Sequence, residues 1–208
     1  MTGLEALERL REGNRRFSTE GLERSGITSQ TRRKQLVVGQ EPFAVILGCS
    51  DSRAPAELIF DQGLGDLFVI RVAGNIVAPS QVGSVEFAVE QFGTRLVVVM
   101  GHSKCGAVQA TLDELQRPSE GRSPNLRSIV TRIRPAVETL LESSLREDPA
   151  ALMQHAVRAN IRASADHLRH GSAILEQMIR NEKLLVVGAE YSLESGVVDF
   201  FDAPSATQ

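Results

Sequence analysis

The sequence predicts an α/β fold: a mostly parallel central β-sheet flanked by helices, with an N-terminal helical arm. Three observations carry this. Four short apolar runs, at 43–47, 67–72, 96–100 and 184–187, show no alternation of polar with apolar residues. Strands of that kind are buried on both faces, as in a parallel sheet covered by helices. The stretches between them have helical spacing, and strand alternating with helix marks α/β architecture. Residues 1–40 lack such runs and carry an apolar stripe at helical spacing instead.

Leu4, Leu7, Leu10, Asn14 and Phe17 define that stripe, with Glu and Arg between them; this is an amphipathic helix. A loop of turn-forming residues at 21–29 precedes a short helix at 28–38. The arm has too few apolar residues to fold alone, so its stripe must lie on its own core or on a partner subunit. The α/β domain spans 41–202. Its helices are expected at 56–60, 80–92 and 105–115. A loop at 120–125, with Gly121 and Pro124, leads to helices at 126–141 and 149–170. In the last of these Leu152, Met153, Ala156, Val157, Ile161 and Leu168 trace one face. Gly171 breaks it, and 174–179 continues as another helix. A turn at Glu194-Ser195-Gly196 leads to an edge strand at 197–201, and 203–208 is a frayed tail.

The chain has 208 residues, 42% of them hydrophobic, which suits one domain with a real core. A net charge of −3 is too mild to argue for nucleic acid or an acidic membrane surface. The cluster Arg32-Arg33-Lys34 reads as a solvated helix face. Two cysteines make no disulfide framework, and they form no Cys-x-x-Cys redox pair. Residues 1–17 have charges throughout and no apolar core, unlike a secretory signal. No apolar run approaches a membrane span. The expectation is a cytoplasmic protein with neither nucleic-acid nor membrane partners, whose thiols stay reduced and available to a metal.

The two cysteines carry the chemistry. Cys49 opens Cys49-Ser50-Asp51-Ser52-Arg53 directly after the first expected strand and Gly48. Cys105 closes His102-Ser103-Lys104-Cys105 directly after the third and Gly101. Ligands of open α/β sheets bind beyond the carboxyl ends of the strands, where both groups fall. Two thiolates and an imidazole are zinc ligands, and three of them leave one position open, as in catalytic zinc sites. Cys105 also begins a helix, whose dipole favours thiolate. Asp51 has three possible roles: fourth ligand, hydrogen-bond acceptor near the metal, or structural carboxylate. Arg53 favours the second, because a bidentate pair would hold the carboxylate off the metal. Water would then take the fourth position and be acidified to a pKa of roughly 7.

These residues resemble the β-class carbonic anhydrases. The similarity is carried by Cys49-Ser50-Asp51-Ser52-Arg53, Arg71-Val72-Ala73-Gly74-Asn75 and Gly101-His102-Ser103-Lys104-Cys105-Gly106. It extends to Gly188-Ala189-Glu190-Tyr191 and to Gly13-Asn14-Arg15-Arg16-Phe17, so it covers nearly the whole chain. The resemblance implies Cys49, His102 and Cys105 as zinc ligands. It implies Asp51 and Arg53 as a catalytic dyad in which Asp51 accepts a hydrogen bond from zinc-bound hydroxide, which attacks carbon dioxide to give bicarbonate. It implies a homodimer or higher even oligomer with active sites at subunit interfaces.

Two features divide that family. Gln62 is similar to the substrate-binding glutamine of the constitutively open, type I-like subgroup. The other subgroup closes at low pH and carries a Trp, an Arg and a Tyr around a bicarbonate site. Arg71 and Tyr191 match the last two, but Ile46 stands at the Trp position and the chain has no Trp. An open site follows. Gly106 is a further implied substrate-binding residue, while Val72 and Phe87 either line an apolar CO2 pocket or are plain core. His155, His167 and His170 are expected in solvent. Two rival readings are a zinc hydrolase of a CO2-like molecule, carbon disulfide or carbonyl sulfide, and a non-catalytic zinc protein. The latter would need Asp51 as a fourth ligand.

Overall fold

A five-stranded sheet organises the chain, with β1 (Ala44–Gly48), β2 (Leu67–Arg71), β3 (Leu96–His102), β4 (Leu185–Tyr191) and β5 (Val198–Phe201) in the order β2-β1-β3-β4-β5. The first four are parallel and β5 runs antiparallel to β4. The computed structural model describes residues 1–19, 29–118 and 123–202. Residues 21–28 of the first expected loop, 120–122 of the loop expected at 120–125, and the tail at 203–208 lie outside the described residues, while Pro124 and Asn125, expected in that second loop, already begin the helix Pro124–Val137 behind the Ser123 cap. All residues of β1 and β3 are buried, as their continuous apolar runs require.

From β1 the chain steps outward to β2, then returns past β1 to β3. Successive right-handed crossovers in opposite directions must use opposite faces of the sheet. Accordingly α3 (Ala56–Ile59), between β1 and β2, packs with one apolar core, and α4 (Pro79–Phe92), between β2 and β3, with the other. The face of α4 also carries α5 (Gly106–Gln116), α6 (Pro124–Val137), α7 (Pro149–His170) and α8 (Ala173–Glu182). The reversal between β1 and β3 is a topological switch point, where a crevice opens at the strand ends.

The opposite face is closed by α1 (Gly3–Ser18), so the N-terminal stripe lies on the chain's own core. Thr2 and Glu5 form a capping box that starts α1. Ala6, Leu7 and Leu10 are buried against Ile46, Ile59 and Phe60, whereas Leu4 stays half exposed at the rim. The Gly13-Phe17 segment docks this helix. A Cβ on Gly13 would sit 1.8 Å from the Phe60 carbonyl oxygen, so only glycine permits the approach. Asn14 is buried and donates to the carbonyls of Ile59 (3.2 Å) and Gly196 (2.9 Å), while Oδ1 accepts from Val198 N–H (2.8 Å). Arg16 pairs with the buried Asp61 at 2.6 Å.

Several elements differ in extent from the sequence expectation. β3 and β4 run on to His102 and Tyr191, because those residues pair with each other in the ladder although glycines end the apolar runs. The helix expected at 126–141 ends at Val137 and continues as a 3-10 turn, two residues beyond Pro135, which lacks the N–H an α-helix needs. The helix expected at 28–38 divides into α2 (Gln30–Gln35) and a 3-10 turn. Within α2, Arg32 is not simply solvated: it bonds the Leu64 carbonyl and Asp66. His155, His167 and His170 are exposed.

Candidate metal centre

Cys49 follows β1, His102 ends β3, and Cys105 caps α5, so all three converge at the switch point. Their ligand atoms lie within 4.8 Å of one another and all three residues are buried. Lys104 adopts a left-handed φ of 55°, which turns the chain tightly enough for His102 and Cys105 to face one point.

Each ligand is oriented by a neighbour. His102 Nδ1 lies 2.9 Å from the Ser103 carbonyl oxygen, which can only accept, so Nδ1 carries the proton and Nε2 presents its lone pair. That Nε2 is buried with no hydrogen-bond partner. A buried imidazole lone pair without a partner, facing two sulfurs, is the signature of a soft-metal site and fits zinc. Gly74 N–H donates to Cys49 Sγ at 3.3 Å.

The two thiols lean on each other. Cys105 donates to Cys49 and holds it far below the ordinary thiol range; burial opposes this, and His102 and the amides of Asp51 and Gly74 assist. Cys105 is pushed well up by the Cys49 sulfur beside it and by burial, while the Ala107 and Val108 amides at the start of α5 work against that rise. Burial is the largest influence on His102 and disfavours its charged form, but Cys49, the Ser103 carbonyl and Asp51 together raise its pKa.

Asp51 is gripped twice by Arg53, at 2.9 Å from Nε to Oδ1 and 2.8 Å from Nη2 to Oδ2. The Arg53 N–H adds a third bond to Oδ1 at 3.0 Å. Arg53 holds the carboxyl well below its ordinary range, against the opposing effect of burial. Oδ2 stops 3.7 Å from His102 Nε2, beside the ligand cluster.

The remaining expected site residues are dispersed. Val72 is half buried just after β2, its N–H on the Gly48 carbonyl at 3.0 Å. Gly106 is exposed as the first residue of α5. Gln62 is not brought to this cluster: its amide accepts from Arg9 Nε at 3.0 Å and donates to the Phe60 carbonyl at 2.7 Å, under α1. Phe87 is 51% exposed and rests on the rings of Phe68 and Phe92. It is thus neither plain core nor, within this chain, a wall of the cluster. Ile46 is buried in the α1-side core and Tyr191 lies there against Phe17.

Two residues carry roles that the sequence did not disclose. Arg71 donates to the carbonyls of Cys49 (3.1 Å) and Asp51 (2.6 Å), clamping the ligand loop. Asn160, on the inward face of α7, donates to the Gly74 carbonyl at 2.8 Å. Its signal in the sequence was a polar residue three after Val157 and one before Ile161, on a face that is mostly apolar.

Residues 44–198 match the family model described as carbonic anhydrase. The chain is 38% identical to carbonic anhydrase 2 of Mycobacterium tuberculosis, strain H37Rv, over 92% of this chain and 89% of that one. It is 36% identical to the carbonic anhydrase of Mycolicibacterium smegmatis, over 93% and 91%. Among solved structures, one of the tetrameric β-carbonic anhydrases of the ascomycete Sordaria macrospora superposes with a TM-score of 0.73 at 26% identity, covering 84% of this chain and 87% of that one. The zinc-type ligand set, its place at the switch point and these similarities agree, and the chain belongs to the β class of the carbonic anhydrase family.

Proposed function

We propose that the chain interconverts carbon dioxide and bicarbonate at a zinc ion held by Cys49, His102 and Cys105, with Asp51 kept off the metal. The observation that carries this reading is the bidentate Arg53–Asp51 pair beside a cluster of three ligands. Bound zinc supplies a Lewis acid that makes water nucleophilic near neutral pH. Asp51 Oδ2 has a lone pair left after Arg53 is satisfied. It accepts a hydrogen bond from the attacking water and so fixes the direction from which oxygen meets carbon dioxide. Arg53 keeps Asp51 ionised for that task.

The open form is supported by three features. Asp51 is committed to Arg53, Ile46 stands where the regulated subgroup has tryptophan, and Arg71 is engaged with two loop carbonyls. A second copy of the chain is proposed to pair along the free edge of β2, where Phe68 and Val69 are half buried and Leu64 and Phe87 exposed. Pairing there would let Gln62 and Phe87 serve the partner's substrate pocket beside its Val72 and Gly106. Among the described residues no helix is long and apolar enough to cross a membrane. Free ligand thiols support a cytoplasmic location.

Metal analysis joined to stopped-flow hydration tests the proposal, with carbon disulfide and carbonyl sulfide as competing substrates. Stoichiometric zinc with rapid hydration of carbon dioxide is expected. Cys49→Ser should lose zinc, whereas Asp51→Asn should keep it and lose about 100-fold or more in kcat, the scale of a lost proton-handling group. Stoichiometric zinc without hydration would overturn the assignment.

A further inference from the structure

We propose that Asn160 is a positioning residue for the metal centre: through Gly74 it aims an N–H at the Cys49 thiolate and so sets how tightly that sulfur holds zinc. The inference rests on the zinc reading above and extends it to a residue over a hundred positions from the first ligand.

The inward face of α7 is formed by Leu152, Ala156, Val157, Ile161, Ala165 and Leu168, all buried in the core of that side. Asn160 interrupts this face and is 2% exposed. An amide in such surroundings is retained only with a partner, and its partner is the Gly74 carbonyl at 2.8 Å. Gly74 sits in the turn that follows β2 with a left-handed φ of 70°. A second bond, from Asn75 N–H to the Val72 carbonyl at 3.0 Å, closes the same turn. With its carbonyl held from one side and the turn closed from the other, the Gly74 N–H is left facing Cys49 Sγ at 3.3 Å.

Packing closes in on the turn at Gly74. A Cβ on Gly74 would lie 2.8 Å from Ile133 Cδ1 and 3.0 Å from Ala107 Cβ. Helices α5 and α6 therefore wall the turn while α7 anchors it. A hydrogen bond to a ligand sulfur orients the ligand and changes its donation to the metal, and outer partners of this kind are worth about 10- to 100-fold in metal affinity. An asparagine that merely tied α7 to the sheet would leave the sulfur unaffected, so the two roles separate experimentally.

The test uses the full chain loaded with cadmium-113. A scalar coupling from the Gly74 amide proton through Cys49 sulfur to the metal is expected in the natural protein and should vanish in Asn160→Leu, which is close to isosteric. Zinc affinity, measured by chelator competition, should fall about tenfold or more in the same variant. Ser164→Ala, one turn further along the same face, should leave coupling and affinity unchanged. Absence of the coupling in the natural protein would overturn the inference, as would an Asn160→Leu protein with coupling and affinity intact. If Asn160→Leu does not fold, Asn160→Ser, too short to reach Gly74, must show the same losses or the inference fails. A natural protein that takes up no stoichiometric metal would instead defeat the zinc assignment itself.

Discussion

Replacing Arg71 by Met should lower activity while leaving zinc in place. Arg71 ends β2 directly opposite Gly48, so its guanidinium reaches across the end of β1 to the Cys49 and Asp51 carbonyls. Methionine keeps an apolar stem and removes both donors. A net intramolecular hydrogen bond contributes about 0.5–1.5 kcal/mol. Arg71 is exposed, so water replaces part of what is lost, and about 1–2 kcal/mol for the two together is the appropriate scale. That corresponds to roughly a 5- to 30-fold change in the ratio of ordered to disordered loop. Because Asp51 works only from that loop, kcat/KM for hydration should fall, by up to that factor. The three ligand side chains are untouched, so zinc should remain stoichiometric. Stopped-flow hydration and metal analysis on one preparation measure both quantities. Arg71→Lys should recover part of the loss, since a single ammonium cannot reproduce the fork that spans two carbonyls. Full activity in Arg71→Met would refute the clamp, and loss of zinc would show that it serves the metal rather than the dyad.

Leu10→Ala tests whether α1 is a layer of the fold or a detachable arm. Leu10 is fully buried, so the cavity should cost about 2.7–5 kcal/mol and lower Tm by about 5–20 °C at this chain length, read by calorimetry. A shift under about 2 °C would remove α1 from the core. For Asp51, a folded pKa depressed below the ordinary 3.8 means that the stabilisation from the Arg53 pair is present above the unfolded value. It is lost only as pH falls through the lower folded value. Carbon-detected NMR of the Asp51 carboxyl should therefore show it ionised at pH 3.8, and Arg53→Met should move its titration up toward the ordinary range; a natural-protein titration at 3.8 or above would contradict the pairing.

The sheet and the ligands were legible because both leave local marks. A buried parallel strand must be apolar throughout, and a thiol or imidazole at its carboxyl end stands out against that run. The order of strands, by contrast, depends on contacts between segments that no local pattern records. The same is true of Arg71 and Asn160. Arg71 lies 22 residues from Cys49 and Asn160 lies 86 from Gly74, and what joins them is the pairing of β2 with β1 and the packing of α7 on the turn after β2. The arm at 1–40 was ambiguous for a further reason: an amphipathic stripe states that it needs a surface and not which one. Docking on the chain's own sheet is settled by Gly13 and Asn14, whose contacts with residues 59–60 and 196–198 are invisible to periodicity.

On the zinc reading proposed above, an open coordination position would be a product of competition rather than of missing residues. Asp51 stands beside the three ligands, its Oδ2 at 3.7 Å from His102 Nε2. A carboxylate beside a zinc ion would be drawn to it unless other donors hold its oxygens. Arg53 supplies those donors in a fork matched to both oxygens, and Arg71 fixes the backbone from which Asp51 projects. Two guanidiniums from different segments thus act on one carboxylate, one through its side chain and one through its main chain. Weakening either should favour the same end state, Asp51 on the metal. On that proposal the open site depends on a balance set outside the ligand shell, and the two arginines that set it belong to the proposed active centre as much as the two cysteines do.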